Sequence, residues 1–412
     1  MARINYNNGY YDGDVSNGKE NGYGTFVWTS GECAGDRYVG QWYSGDMHGK
    51  GKYTYSDGTY YDGEWYKNSK HGWGVRTYNN GKYEGQWCNG ERTGNGKYVW
   101  NDGERYEGDF VDGKLHGRGK YFYSDGTTYE GNWHDNEKHG YGVQIFDNGR
   151  YEGEYQNGFR TGYGKYVWNN GDSYEGDFID TRLHGKGKYN YSDGTFYFGD
   201  WVEDKKHGFG TQTFNNGRYE GEYNNGVRTG HGKFIWNDGS SYEGDFVDGK
   251  LHGKGKYTYS DGTFYYGDWC NGEKHGWGVQ TFNNGRYEGE YNNGSRTGHG
   301  KYVWNNGSSY EGGFKETKLH GKGKYTYSDG TYYDGDWYEN EKNGYGVQTF
   351  SNGRYEGEYN NGRRTGHGKY EWNSGAKYVG DFVDGALTGM GEVTYSDGSV
   401  ERGRFEDGKL IN

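Results

Sequence analysis

One unit of about 23 residues recurs along almost the whole of the 412-residue chain, and that recurrence leaves room for little but a repeat array. The stretch from Tyr242 to Thr263 reads YEGDFVDGKLHGKGKYTYSDGT, and near copies start at Tyr106, Tyr174 and Tyr310. Units begin at Tyr11, Tyr38, Tyr61, Tyr83 and Tyr106, and continue at nearly even steps as far as Tyr378. Glu401 opens a final half-unit, and the first unit carries four extra residues near GECAGDR. Three forms alternate, so the sequence repeats most closely at every third unit. The first form is YEGEYNNGSRTGHGKYVWNNGSS from Tyr287, the second is the Tyr242 stretch, and the third is YYGDWCNGEKHGWGVQTFNNGR from Tyr265. This predicts an extension over residues 1–10. One continuous array over 11–412 follows, of about 17 full repeats and a C-terminal half repeat, with no linker and no second domain.

Each unit reads as a β-hairpin. Tyr287, Gly289 and Tyr291 alternate with Glu288 and Glu290, so the apolar set shares one face. Asn292, Asn293 and Gly294 mark a turn. Gly300, Tyr302 and Trp304 then share a face, with Lys301 and Val303 on the other. Placing both aromatic sets on one side sets the two Glu across from Lys301, and the Gly leave room for rings or mark bends. A single hairpin is marginal alone; stacked hairpins cover each other's edges. The predicted fold class is all-β: an elongated single-layer antiparallel sheet of stacked hairpins, twisted into a rod or superhelix. At about 4.8 Å per strand, eighteen such units extend over roughly 170 Å. Every third unit puts Gln in the second-strand Tyr position, at Gln144, Gln212, Gln280 and Gln348.

Composition enters because it argues the other way. Leu, Ile, Val and Phe together fall below the roughly 20% that ordinary cores need, and mean hydropathy is -1.33. The chain nevertheless holds 49 Tyr and 15 Trp in strict period, and such side chains bury large areas while keeping a polar tip. A net charge of -12 disfavours nucleic acid and nonspecific adhesion to anionic membranes. No apolar leader, myristoylation signal or membrane-spanning run is visible. Cys33, Cys88 and Cys270 are far apart, which predicts neither disulfides nor zinc and suits a reducing, cytoplasmic home.

Tyr-Glu-Gly-x-(Trp/Phe), then Asn-Gly or Asp-Gly, then His-Gly-x-Gly, resembles the MORN repeat (membrane occupation and recognition nexus) over nearly the whole chain. Departures are the stretched first unit, Gly313 in place of the usual Asp, and the half-unit at Glu401. The resemblance implies scaffolds in cytoskeletal, axonemal or membrane-junction assemblies, sometimes dimeric. The kinase or methyltransferase domains of some relatives find no room here.

No catalytic residue, cofactor site or metal site is predicted. Acids such as Glu243 and Asp245 recur all along the chain, whereas catalysis needs one preorganised, asymmetric constellation. Twelve of the thirteen His precede Gly, as in His116-Gly117 and His252-Gly253, and each repeat offers at most one such His, without a partnering Cys. The SDG and NNG triplets read as tight turns, not calcium loops. No phosphate loop occurs.

Two kinds of stripe are better candidates. Trp100, Trp168, Trp236, Trp304 and Trp372 recur in every third unit, with Trp28 as an earlier counterpart. Arg92, Arg160, Arg228, Arg296 and Arg364 recur likewise, each followed by Thr-Gly. Arg150, Arg218, Arg286 and Arg354 precede the same units, which places paired arginines near successive hairpins. An anionic head group or an acidic partner helix could use them; packing on the aromatic face and pairing with local acids are the plainer readings.

The expected function is a non-catalytic scaffold offering many weak contacts to protein partners in a cytoskeletal or membrane-associated assembly. A phosphoinositide-binding adaptor is the first alternative. A carbohydrate-binding hairpin module is the second, resembling bacterial wall-binding repeats in composition but not in signature. Exposed end strands offer a route to a homodimer, tempered at the C-terminal edge by the charges of VERGRF, Val400 to Phe405.

Overall fold

The computed structural model describes residues 2–411. These hold thirty-seven β-strands and no helix. Two units, Met1–Lys206 and His207–Asn412, are each an open antiparallel sheet one layer thick. Within each unit, successive strands pair along the chain. The first unit starts with Ala2–Tyr6, where Ile4 faces Tyr11. The second ends with Lys409–Ile411, where Leu410 faces Phe405.

One hairpin explains the rest. Ser241–Val247 pairs with Lys250–Thr258, setting Tyr242 opposite Tyr257, Gly244 opposite Gly255 and Phe246 opposite Leu251. Asp248 and Gly249 form the two-residue turn with φ of 49° and 75°, the left-handed pair whose twist matches that of the flanking strands. The register then jumps: Asp245 faces His252, so Gly253 and Lys254 bulge out. Gly253 has φ of 57°, which explains why His is followed by Gly in nearly every unit.

The ring of Tyr242 lies flat over the Gly244–Gly255 pair. A Cβ on Gly255 would sit 2.2 Å from the tyrosine oxygen, and one on Gly244 would sit 2.4 Å from the Gly255 Cα. The hydroxyl donates to the carbonyls of Asp245, at 3.0 Å, and His252, at 3.2 Å, and so ties down the bulge. The same bond, from each repeat's opening Tyr to the carbonyl three residues on, occurs at all seventeen tyrosine starts from Tyr11 to Tyr378, at 2.8–3.1 Å. The glycines therefore make room for a ring from their own hairpin, two residues earlier on one of its strands.

The same tyrosine joins repeat to repeat. The Tyr242 ring meets Phe246 edge-on at 5.2 Å and Trp269 of the next hairpin at 5.5 Å; Tyr265 meets Trp269 and then Tyr291, each at 5.1 Å. Edge-to-face pairs each add about 0.5–1.5 kcal/mol beyond area burial, so the run stands in for an aliphatic core. The opposite face carries the acids. Lys301 faces Glu288 in register, as the alternation predicts, yet its ammonium pairs with Glu311 of the following hairpin at 3.1 Å.

Four predictions concern local stability, read by native-state hydrogen exchange because repeat arrays do not unfold in two states. Tyr242→Phe removes the bulge hydrogen bonds, with an expected loss of about 1 kcal/mol in its own hairpin and its neighbours. Gly244→Ala drives a Cβ into backbone and is expected to destabilise more than Tyr242→Phe; an equal or smaller effect contradicts the ring-over-glycine account. Thr181 and Thr317 take the second turn position, which is Gly, Asn or Asp in the other hairpins, at φ of 75° and 71°. Thr317→Gly is therefore expected to stabilise its hairpin by about 1 kcal/mol, and Thr181→Gly likewise.

Candidate partner-binding face

In each hairpin after the first, the residue after the turn's flanking residue points to the aromatic face, opposite the ring next to the end of the first strand. From residue 70 onward this position cycles with the repeat form. Lys274 lies opposite Trp269, Arg296 opposite Tyr291 and Leu319 opposite Phe314. The same register gives Arg228 and Leu251 before them, and Lys342, Arg364 and Leu387 after. The aromatic face thus carries a row of Arg, Leu and Lys.

The arginines sit in cages of rings. The guanidinium carbon of Arg296 is 5.2–5.6 Å from the centres of Phe282, Tyr287, Tyr302 and Phe314. One nitrogen donates to the Thr317 carbonyl across the next turn, at 3.3 Å. Arg92, Arg160, Arg228 and Arg364 repeat this bond, to the carbonyls of Gly113, Thr181, Gly249 and Gly385. Burial pulls the Arg296 pKa below its ordinary value. Each such cation–π contact contributes about 0.5–2 kcal/mol, more as water is excluded.

The Trp series belongs to the same grooves. Trp236 is half-buried, 4.6 Å from Phe234 and 5.2 Å from Tyr257 by ring centres. A groove of about 400 Å³ is lined by Phe214, Arg228, Phe234, Trp236, Phe246 and Leu251. An equivalent groove of about 270 Å³ is lined by Arg364, Tyr370, Trp372 and Leu387. Trp100, Trp168 and Trp304 hold the corresponding places, each tilted against the tyrosine two residues before it at 4.5–4.6 Å.

The second arginine series lies on the other face. Arg150, Arg218, Arg286 and Arg354 are paired with Glu152, Glu220, Glu288 and Glu356, at 2.5–3.3 Å. Strand alternation separates them from the caged arginines, so the two series do not form one cationic pair. The recurrent acids are spoken for in the same way: Glu243 pairs with Lys233 at 3.1 Å, and Asp245 lies 3.3 Å from His231. Asp261 accepts from the Thr263 amide and hydroxyl, closing its turn on itself. Among the described residues, no three His, Cys, Asp or Glu side chains are grouped to hold a metal ion.

The lysines are the residues that sequence reasoning missed. Lys138, Lys274 and Lys342 each donate to a buried Gln, at 2.8, 2.7 and 2.7 Å, and lie over three tyrosine rings. Gln144, Gln280 and Gln348 also accept from Tyr155, Tyr291 and Tyr359 at 3.1 Å. The signal was present: the Gln recur in every third repeat, and a Lys precedes each of them on the same strand.

With this geometry established, the comparisons are consistent. The MORN repeat matches seventeen times, from residues 11–33 and 38–60 through to 378–400. The chain belongs to the MORN-repeat family, whose repeat is a non-enzymatic module of protein and membrane interaction. No curated protein matches the chain. Among solved structures, one similarity is to the TCP domain of SAS-4 (dCPAP) of Drosophila melanogaster, in complex with a proline-rich motif of Ana2 (dSTIL). It has 10% identity, covers 59% of this chain and 84% of that one, and has a TM-score of 0.13. Another is to virginiamycin B lyase from Staphylococcus aureus, with 10% identity, 75% and 83% coverage, and a TM-score of 0.11. Neither carries an argument about function. No helix among the described residues is long and apolar enough to cross a membrane.

Burial pushes the caged lysines from 10.5 down to about 8. The folded state therefore releases these protons before the unfolded chain does, and stability rises as pH climbs from about 8 towards 9. Above about 9 the trend reverses, because several tyrosines surround each lysine and begin to ionise in the unfolded chain while burial holds their folded counterparts neutral. Lys138→Met, Lys274→Met and Lys342→Met together are expected to flatten the rise between about pH 8 and pH 9 in hydrogen-exchange stabilities corrected for intrinsic rates. An unchanged slope places the effect elsewhere.

Proposed function

We propose that this protein is a non-catalytic scaffold whose aromatic face gathers protein partners along its length, in a cytoplasmic cytoskeletal or membrane-associated assembly. The observation that carries this reading is the recurrence of one cage, Arg with its ring set and Trp, five times, once in every third repeat. Identical weak sites on one chain combine by effective concentration rather than by individual affinity. The Trp and Arg that line both grooves are also among the residues that dominate protein interfaces.

The same cages favour a second reading, a phosphoinositide adaptor, because a guanidinium binds phosphate as well as carboxylate. The net charge of -12 opposes autonomous docking on an anionic surface.

Proximity labelling in the native cell tests the scaffold. The full chain is expected to label a reproducible set of proteins, and labelling is expected to fall stepwise as one, three and then all five of Arg92, Arg160, Arg228, Arg296 and Arg364 become Gln. Labelling no different from that of the free labelling enzyme overturns the scaffold. Co-sedimentation with liposomes tests the second reading. Pelleting only with phosphatidylinositol bisphosphate at physiological salt, lost in Arg228→Ala with Arg296→Ala, establishes it; no pelleting removes it.

A further inference from the structure

We propose that the occupant of the aromatic face is an acidic protein segment, its carboxylates separated by apolar side chains, lying along the Arg–Leu–Lys row within one unit. The proposal rests on the scaffold reading and adds the chemistry of the partner.

The argument is one of charge sorting. From residue 70 to residue 387 the row holds only Arg, Lys and Leu. None of its five arginines takes part in an ion pair among the described residues, nor do Lys70, Lys138, Lys274 and Lys342. Their partners are π-faces, amide oxygens and backbone carbonyls, which attract a cation without neutralising it. The other face holds the Glu–Lys and Glu–Arg pairs. A chain of net charge -12 thus presents a face whose charged row is positive. These named cations, half-buried and with no carboxylate in ion-pair contact, present a positive potential that an anion from outside complements.

Spacing selects the class of anion. The row advances one position every second strand, so neighbouring positions lie about 10 Å apart, charges alternate between spacings of about 10 and about 19 Å, and the Arg–Leu–Lys cycle repeats about every 29 Å. Single carboxylates dispersed along a polypeptide match single dispersed cations. A phosphoinositide head group concentrates several phosphates in one place and needs cations that converge. Leu251 and Leu319 between the cations and Leu387 at the end of the row, with Trp236, Trp304 and Trp372 beside them, supply apolar surface that a segment of Glu or Asp alone leaves unused.

The test uses the full-length protein and a fluorescein-labelled peptide of six Glu-Leu-Glu-Ser repeats, with Gln-Leu-Gln-Ser as its uncharged counterpart. Nonspecific electrostatics repel an acidic peptide from an acidic protein, so binding reports a local cationic site. Fluorescence anisotropy is expected to show binding of the Glu peptide that weakens with salt, and binding of the Gln peptide at least about tenfold weaker. Arg228→Gln, Arg296→Gln and Arg364→Gln together are expected to reduce affinity by about tenfold or more. The triple Lys variant at those positions keeps most of it, which separates lost charge from lost folding. Arg218→Gln, Arg286→Gln and Arg354→Gln, on the opposite face, are expected to change it less than about twofold. Absence of peptide binding overturns the proposal, as does equal loss in the two triple Gln variants. Binding to phosphatidylinositol bisphosphate vesicles without binding to the peptide also overturns it, in favour of the membrane. If the peptide fails but labelled partners are still lost stepwise in cells, the acidic occupant falls and the scaffold stands.

Discussion

A tyrosine ring laid across a pair of facing glycines, with its hydroxyl on the carbonyl of the adjoining bulge, is the constraint on which everything else in this protein depends. It explains three features of the repeat together. The glycines are needed because any Cβ would enter the ring or the opposing backbone. The ring must be Tyr rather than Phe because the bulge carbonyls need a donor. The His-Gly step is the bulge itself, where the chain takes a positive φ. A sheet one layer thick has no second layer to close a core. It closes one within its own surface by resting each ring on backbone and against the rings of the adjacent repeats.

That arrangement sorts the side chains by face. Aromatic rings and glycines fill most of one side, with Gln in place of a ring in every third repeat, and each hairpin leaves one recurring position beside its turn for something else. There the repeat places Arg, Leu or Lys in turn. A cation is tolerated because π-faces and carbonyls surround it, and because part of it still meets water. Most carboxylates gather on the opposite side in cross-strand pairs worth little individually, and those on the aromatic face, such as Asp36, Glu104 and Asp172, accept from the hydroxyls of Tyr53, Tyr121 and Tyr189. The molecule's charge balance and its surface pattern are therefore different quantities. The net charge of -12 speaks for the paired face, and the row speaks for the other.

Much of this was legible beforehand. The two-residue alternation in Tyr287–Tyr291 and Gly300–Trp304 gave the hairpin and its faces, and Asn-Gly and Asp-Gly marked the turns. The candidate residues were less legible. Arg218 and Arg228 look like neighbours in a list of recurring arginines, but they stand an even number of positions apart with a two-residue turn between, and the pairing of Asn224 with Val227 across that turn sends them to opposite faces. The lysines were missed because a Lys in a charged surface strand looks ordinary. Only the buried Gln280, accepting from both Lys274 and Tyr291, shows that this one is caged. Lys301 reached past its register partner to the next hairpin, because the strand on either side of it carries an acid at the same height.

The sequence by itself determined the repeat, its hairpin form and its family. Those properties are local: they follow from the order of residues within one repeat, and period-two geometry carries them into three dimensions. Tertiary structure decided which charges share a face, which cations lack a carboxylate, and which Trp lines a groove rather than merely packing. Those depend on bulge registers and on contacts between repeats, where a shift of one residue sends a side chain to the opposite face of the sheet.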